Sequence, residues 1–201
     1  FRVAQALFGP QGMDRLAAYL DLAALGTLAD CSPLRGDSRD IVAAGLERVV
    51  ESHRPGLRRL CEATKTLQPS CEQIVRRLVP RLNASGRLGD AAMAWRLLLA
   101  DETGEWEDWM AAVEAAHATT KQLGRRIMGE AQEQVNRLHF RDEYVMVVSQ
   151  RGWHQGLMGP LASQLAERYH RPAIAIALKD RHGVGSGGSI PIFNLLTALG
   201  E

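Results

Sequence analysis

Tyr144-Val145-Met146-Val147-Val148 is the stretch on which the fold reading turns. A short run of β-branched and apolar residues reads as a buried strand. An amphipathic pattern over 161–169 reads as a helix, and 172–178, where Ile and Ala alternate behind Pro172, reads as a second buried strand. Gly183-Val184-Gly185-Ser186-Gly187-Gly188-Ser189-Ile190 comes next as a glycine-rich strand or loop, and 193–199 starts another helix. Strand, helix, strand, glycine-rich segment and helix is the order of an α/β unit.

Upstream of that unit the pattern is helical. Ala and Leu dominate 16–30, which predicts a helix buried on most sides. A polar turn over 32–36 leads to Asp37 or Ser38 as N-cap of a helix carrying Ile41, Val42, Leu46, Val49 and Val50. Arg54-Pro55-Gly56 breaks that helix, and Leu57, Leu60 and Cys61 suggest a further short one. The stretch 71–79 is expected to be helical up to Pro80, with 81–89 as a turn-rich loop and Asp90 capping the helix that holds Met93, Trp95, Leu97 and Leu98. A long helix over 105–136, with polar faces and no proline, reads as a connector. Gly124 and Gly129 each weaken it by about 1 kcal/mol relative to Ala.

Composition limits what such a chain does. Lys+Arg 24 against Asp+Glu 23 leaves a formal charge of +1, which excludes a uniformly basic nucleic-acid coat and an acidic tail protein but leaves room for a local basic patch. Cys31, Cys61 and Cys71 are too few and too scattered for a disulfide framework or a CxxC zinc site, so a reducing, cytoplasmic compartment is expected. No apolar run reaches the roughly 18–20 residues of a membrane helix, and no signal peptide is visible. The start at Phe1 rather than Met reads as that of a fragment.

Four places offer chemistry. Gly185, Ser186, Gly187 and Ser189 let backbone approach a ligand and present N–H and hydroxyl groups that suit phosphate, although no Lys-Ser/Thr follows as in a Walker loop; a plain tight turn suits the same composition. Around Arg81, Asn83 and Arg87, guanidinium forks match phosphate oxygens, or equally the last carbonyls of a helix. Asp30 closes an apolar helical run, as a solvated helix-end carboxylate or as a metal ligand. His154, in Gly152-Trp153-His154, lies just before a helix N-terminus near Gly159, where it could donate to an anion; a structural role suits a lone His as well. His53, His117, His139, His170 and His182 show no metal-binding spacing and read as surface groups.

Together these pieces resemble one family. Tyr19-Leu20-Asp21-Leu22-Ala23-Ala24-Leu25-Gly26-Thr27-Leu28-Ala29-Asp30 is similar to the LDLVALGTIAD segment of RecJ-type single-stranded-DNA exonucleases, in the DHH phosphoesterase superfamily. The stretch 80–87 resembles their PRINAAGR loop, 152–159 their GWHxGVIG, Arg171-Pro172-Ala173-Ile174 their RPAI, 185–190 their GSGRSI, and residues 1–7 their FKVAQAL. The resemblance implies an α/β protein: the mostly helical C-terminal part of a DHH lobe over 1–104, a connector helix over 105–140, and a small DHH-associated α/β lobe over 141–201. It implies a 5′→3′ exonuclease of DNA repair and recombination, hydrolysing phosphodiesters with water activated by two Mn²⁺ or Mg²⁺ ions and acting on single-stranded DNA with a 5′ end. By that resemblance Asp30 is a metal ligand, and Arg81, Asn83, Arg87, Ser186 and Ser189 lie beside the substrate phosphate.

Two departures qualify it. The family's Asp-x-Asp and Asp-His-His metal motifs do not occur in this sequence, so no catalytic residue is assigned within the chain, and the chain alone is expected to be inactive. Gly188 stands where the family has Arg, a loss of one charge-assisted hydrogen bond of about 1.5–3 kcal/mol unless another arginine such as Arg181 compensates. Two other readings are an oligonucleotide or cyclic-dinucleotide phosphodiesterase of the same superfamily, and a non-catalytic DNA-binding relative.

Overall fold

Apolar residues at helical spacing build the first part of the chain, seen here in a computed structural model that describes residues 1–9, 12–68, 70–101, 105–138 and 144–200. Helices α1 (Arg2–Phe8), α2 (Met13–Ala17), α3 (Leu20–Ala29), α4 (Asp37–Val50) and α5 (Pro55–Ala63) follow one another. The expected 16–30 helix is thus divided, and α3 is not buried all round. Asp21, Ala24, Leu25 and Leu28 face the core while Gly26 is exposed. Asp21 is buried because it is satisfied: Ser52 Oγ donates to it at 2.6 Å and Arg54 Nε lies 3.3 Å away. The start of α4 differs as well. Gly36, with φ 50°, is its N-cap, and Asp37 and Asp40 sit inside the first turn, where carboxylates suit the helix dipole. Pro55 opens α5 at a position whose N–H needs no partner.

The helical run over 71–87 differs most from the sequence reading. It consists of α6 (Cys71–Gln73), a π-helical turn (Ile74–Leu78) and α7 (Val79–Arg87), and it passes through Pro80 without ending. In a regular helix the Pro80 ring would press on the carbonyl four residues back. Here the preceding turn is widened, with the Val79 N–H bonded to the Ile74 carbonyl five residues back, and the ring is accommodated. What reads as a loop over 81–89 is therefore helix to Arg87, and only Leu88 and Gly89 turn. Asp90 Oδ1 accepts the Ala92 N–H at 2.8 Å just ahead of α8 (Ala92–Leu99), but the N-cap residue is Ala91 and not the expected Asp90.

The long helix is α9 (Trp106–Val135). Two compact units share it: Phe1–Gly86 with Asp90–His117, and Arg87–Gly89 with Ala118 onward. The expected boundaries at 104/105 and 140/141 fall at or within residues outside the described set, as does His139. The first unit's core joins α3, α4 and α5 to the 71–87 run, with Leu57, Leu60, Ile74 and Leu78 fully buried. Truncating one of these to Ala costs about 2–5 kcal/mol.

The second unit is a three-stranded sheet, β1 (Met146–Arg151), β2 (Ala173–Lys179) and β3 (His182–Gly188), in the order β1-β2-β3. Strands β1 and β2 are parallel, joined through a 3₁₀ turn (Gln155–Leu157) and α10 (Met158–Tyr169). Strands β2 and β3 form an antiparallel hairpin whose turn places Asp180 at φ 51°. The glycine-rich segment is thus a strand to Gly188, followed by a turn and α11 (Leu195–Gly200). Met146, Val148, Ala173, Ala175 and Ala177 share a buried core with Ile127, Ala131 and Val135 of α9. The outer edge of β1 is closed by a side chain. Gln134 Oε1 accepts the Ser149 N–H at 3.0 Å and its Nε2 donates to the Ser149 carbonyl at 3.1 Å, as a neighbouring strand would.

Candidate nucleic-acid interface

In the first unit, α3 ends at Ala29 and delivers Asp30 to the surface. Ser32 Oγ donates to its Oδ2 at 3.2 Å, and the carboxylate is otherwise open to solvent. Among the described residues no group of three or more His, Cys, Asp or Glu side chains could hold a metal ion. Asp30 is therefore available as one ligand, but it does not form a metal centre with its described neighbours.

The arginines of α7 divide. Arg81 is committed: its Nε donates to Glu114 Oε1 at 2.6 Å and its Nη1 to the Arg77 carbonyl at 2.8 Å. Arg77 in turn donates to the Lys65 carbonyl at 2.6 Å. Arg81 is thus held by Glu114 and by the carbonyl one turn upstream, not by the last carbonyls of a helix. Asn83 and Arg87, both half-buried, carry no side-chain hydrogen bond or ion pair among the described residues. Sequence reasoning missed Glu114, because nothing local links it to a partner 33 residues away.

The second unit gathers several of the expected residues at one end of α10. His154 Nδ1 accepts the Gly156 N–H at 3.2 Å, capping the 3₁₀ turn. With Nδ1 accepting, the imidazole proton sits on Nε2 and leaves a donor. Gly156 packs so closely on the Arg87 backbone that a Cβ there would overlap the Arg87 carbonyl oxygen. Two residues into α10, a Cβ on Gly159 would lie 3.4 Å from Ser186 Oγ. Arg87, His154, Gly159 and Ser186 thus lie around the start of a twelve-residue helix, where the dipole favours an anion, although the Leu157 and Met158 N–H groups are bonded to the His154 and Gln155 carbonyls and Pro160 has none.

Other expected residues have different employment. Ser189 Oγ donates to the Phe193 carbonyl at 2.7 Å and closes the turn after β3. Gly185 and Gly187 pair with Ile176 and Ile174 inside the hairpin. Gly188 is buried, and a Cβ there would strike the backbone of Ala162 and Ser163 in α10. Arg181 stands beyond the far end of β3, roughly 20 Å away at strand rise, so it is not placed to supply the missing cation. Trp153 is a core residue, its Nε1–H donating to Glu130 Oε2 at 2.6 Å.

No family model matches the chain. The single-stranded-DNA-specific exonuclease RecJ of Bacillus subtilis is 36% identical over 205 residues, covering all of this chain and 25% of that protein. Its Escherichia coli counterpart is 36% identical over 191 residues, 92% of this chain and 33% of the relative. The crystal structure of RecJ in complex with Mn²⁺ from Thermus thermophilus superposes with a TM-score of 0.81 at 32% identity, over 91% of this chain and 27% of that one. The chain is a RecJ-type segment. It spans about a quarter to a third of the curated relatives it matches. A second solved structure, exonuclease RecJ bound to manganese, gives a TM-score of 0.74 at 31% identity over 91% of the RecJ-type segment. The α/β architecture expected from the resemblance is the one observed. Among the described residues no helix is long and apolar enough to cross a membrane.

Proposed function

We propose that this segment works within a RecJ-type single-stranded-DNA exonuclease acting from a 5′ end in DNA repair and recombination in the cytoplasm. In this reading 1–104 belongs to the DHH lobe, 105–140 is the connector, and 141–201 belongs to the associated lobe. The observation that carries it is the grouping of Arg87, His154 and Ser186 at the start of α10, in a chain similar to RecJ over its whole length. His154 Nε2–H and the Ser186 hydroxyl hold a phosphate at the positive end of the α10 dipole, and Arg87 adds charge. Asn83 lies on the same helix as Arg87 and contacts the DNA backbone.

Mn²⁺ or Mg²⁺, present in the solved RecJ structures, would activate water and neutralise charge on the phosphate. The described residues do not build that centre: Asp30 gives one carboxylate, and no group of three or more His, Cys, Asp or Glu side chains that could hold a metal ion occurs among them. No hydrolytic step is therefore assigned to the segment's own residues beyond holding the DNA.

The test replaces the matching segment of Bacillus subtilis RecJ with this chain. The chimera is expected to release nucleotides from 5′-phosphorylated single-stranded DNA with Mn²⁺, Asp30→Ala in the chimera is expected to abolish release, and the chain alone is expected to release none. A folded chimera that is inactive, or a chimera indifferent to Asp30→Ala, would overturn the assignment.

A further inference from the structure

The first unit carries an aromatic cavity that the proposed DNA contacts leave unused. Trp95 on α8 and Trp109 on α9 both meet Arg96, whose guanidinium lies 5.5 Å from one indole centroid and 4.8 Å from the other. These residues line a cavity of about 490 Å³ together with Asp101, Glu105 and Asp108. Trp95 is 52% exposed, and Leu99 on the rim is 57% exposed. An exposed indole beside a half-buried one, with an exposed leucine at the rim, makes an apolar patch on this surface.

The chemistry of the lining selects the occupant. Indole faces attract cations through their quadrupole, and Arg96 shows that a guanidinium fits these two rings. Glu105 and Asp108 add negative charge at the cavity wall. That charge disfavours a phosphate-bearing ligand, although nucleobases also stack on indoles. Arg96 supplies one cation to the two rings, and the exposed Glu105 and Asp108 carboxylates line the same cavity.

We propose that this cavity docks a cationic peptide segment of a partner protein. An arginine or lysine of the segment lies against Trp95 and Trp109 with its charge toward Glu105 and Asp108, and a neighbouring apolar residue covers Leu99. The site shares no residue with the DNA contacts proposed above and does not depend on them.

The experiment titrates the ¹⁵N-labelled chain with hexa-arginine amide and follows the indole N–H signals, assigned with Trp95→Phe and Trp109→Phe. Saturable shifts at Trp95 and Trp109 are expected. The double variant Glu105→Gln/Asp108→Asn is expected to weaken binding at least threefold, and Arg96→Gln to tighten it by removing a like charge. All these changes are to exposed charges, and circular dichroism checks that each variant is folded. Absence of saturable shifts, or affinities unmoved by both charge variants, overturns the proposal. So does a twelve-residue oligothymidine that shifts the same two signals more strongly than the peptide, or a site that Arg96→Gln weakens, since either result marks an anion or nucleic-acid site.

Discussion

Arg81 Nε donates to Glu114 Oε1 at 2.6 Å, while Arg87, two helical turns along the same helix, carries no such partner among the described residues. Two arginines that look equivalent in sequence therefore do different work. Arg81→Ala is expected to lower stability by about 0.5–1 kcal/mol, the scale of a partly exposed ion pair, and to leave single-stranded DNA affinity nearly unchanged. Arg87→Ala is expected to leave stability unchanged, to weaken DNA binding several-fold and to flatten its salt dependence. Urea denaturation and fluorescence anisotropy with an oligothymidine separate the two, and the reverse pattern would place the phosphate contact at Arg81.

Gly188 poses the complementary question. If the arginine found there in the resembled family were simply missing, restoring it would strengthen DNA binding. The structure argues otherwise, because a Cβ at 188 would strike the backbone of Ala162 and Ser163. Gly188→Arg is expected to cost about 1–3 kcal/mol through forced displacement of α10, with no gain in affinity. Gly188→Ala should already show most of that loss in a urea titration. An arginine variant of unchanged stability and tighter DNA binding would refute this packing argument.

The Trp153–Glu130 hydrogen bond ties the turn after β1 to α9. Glu130 is an ionised acceptor that Gln150 Nε2 also approaches, at 3.4 Å. Trp153→Phe keeps most of the buried ring and removes the donor, and is expected to cost about 1.5–3 kcal/mol. A double-mutant cycle with Glu130→Gln isolates the bond, and a coupling near zero would show that burial of the ring alone matters.

The sequence made the α/β order after 144 legible because period and composition are local properties. The course of 71–87 was not legible: Pro80 signals a helix end, and only the π-helical turn before it lets the helix continue to Arg87. His154 stood out from its place just before a helix, but its Nδ1 accepting the Gly156 N–H was not read from the sequence. The candidate site was unreadable where distant residues decide, since Glu114 takes Arg81 and α10 closes over Gly188. Ser189 is a local case that was still missed, its hydroxyl being spent on the Phe193 carbonyl only four residues on.

Cys61 provides a test of the first unit's core that is independent of function. Burial, with a smaller contribution from Glu62, pushes its thiol from the ordinary 9.0 up to about 12, and Sγ lies 3.5 Å from the Val49 carbonyl, which accepts the S–H. At about pH 8 the thiolate is the reactive form. A disulfide reagent is therefore expected to label exposed Cys31 rapidly and Cys61 only after unfolding. Linkage gives a second readout. Between pH 9 and 12 the unfolded chain releases the Cys61 proton while the folded chain keeps it, so the folded state binds more protons and its stability falls as pH rises through that window. Cys61→Ala removes this contribution, and its stability is expected to decline less steeply over the same range. Identical slopes for the two proteins would mean that the Cys61 thiol is solvated and that the packing of α5 against α4 is looser than the structure shows.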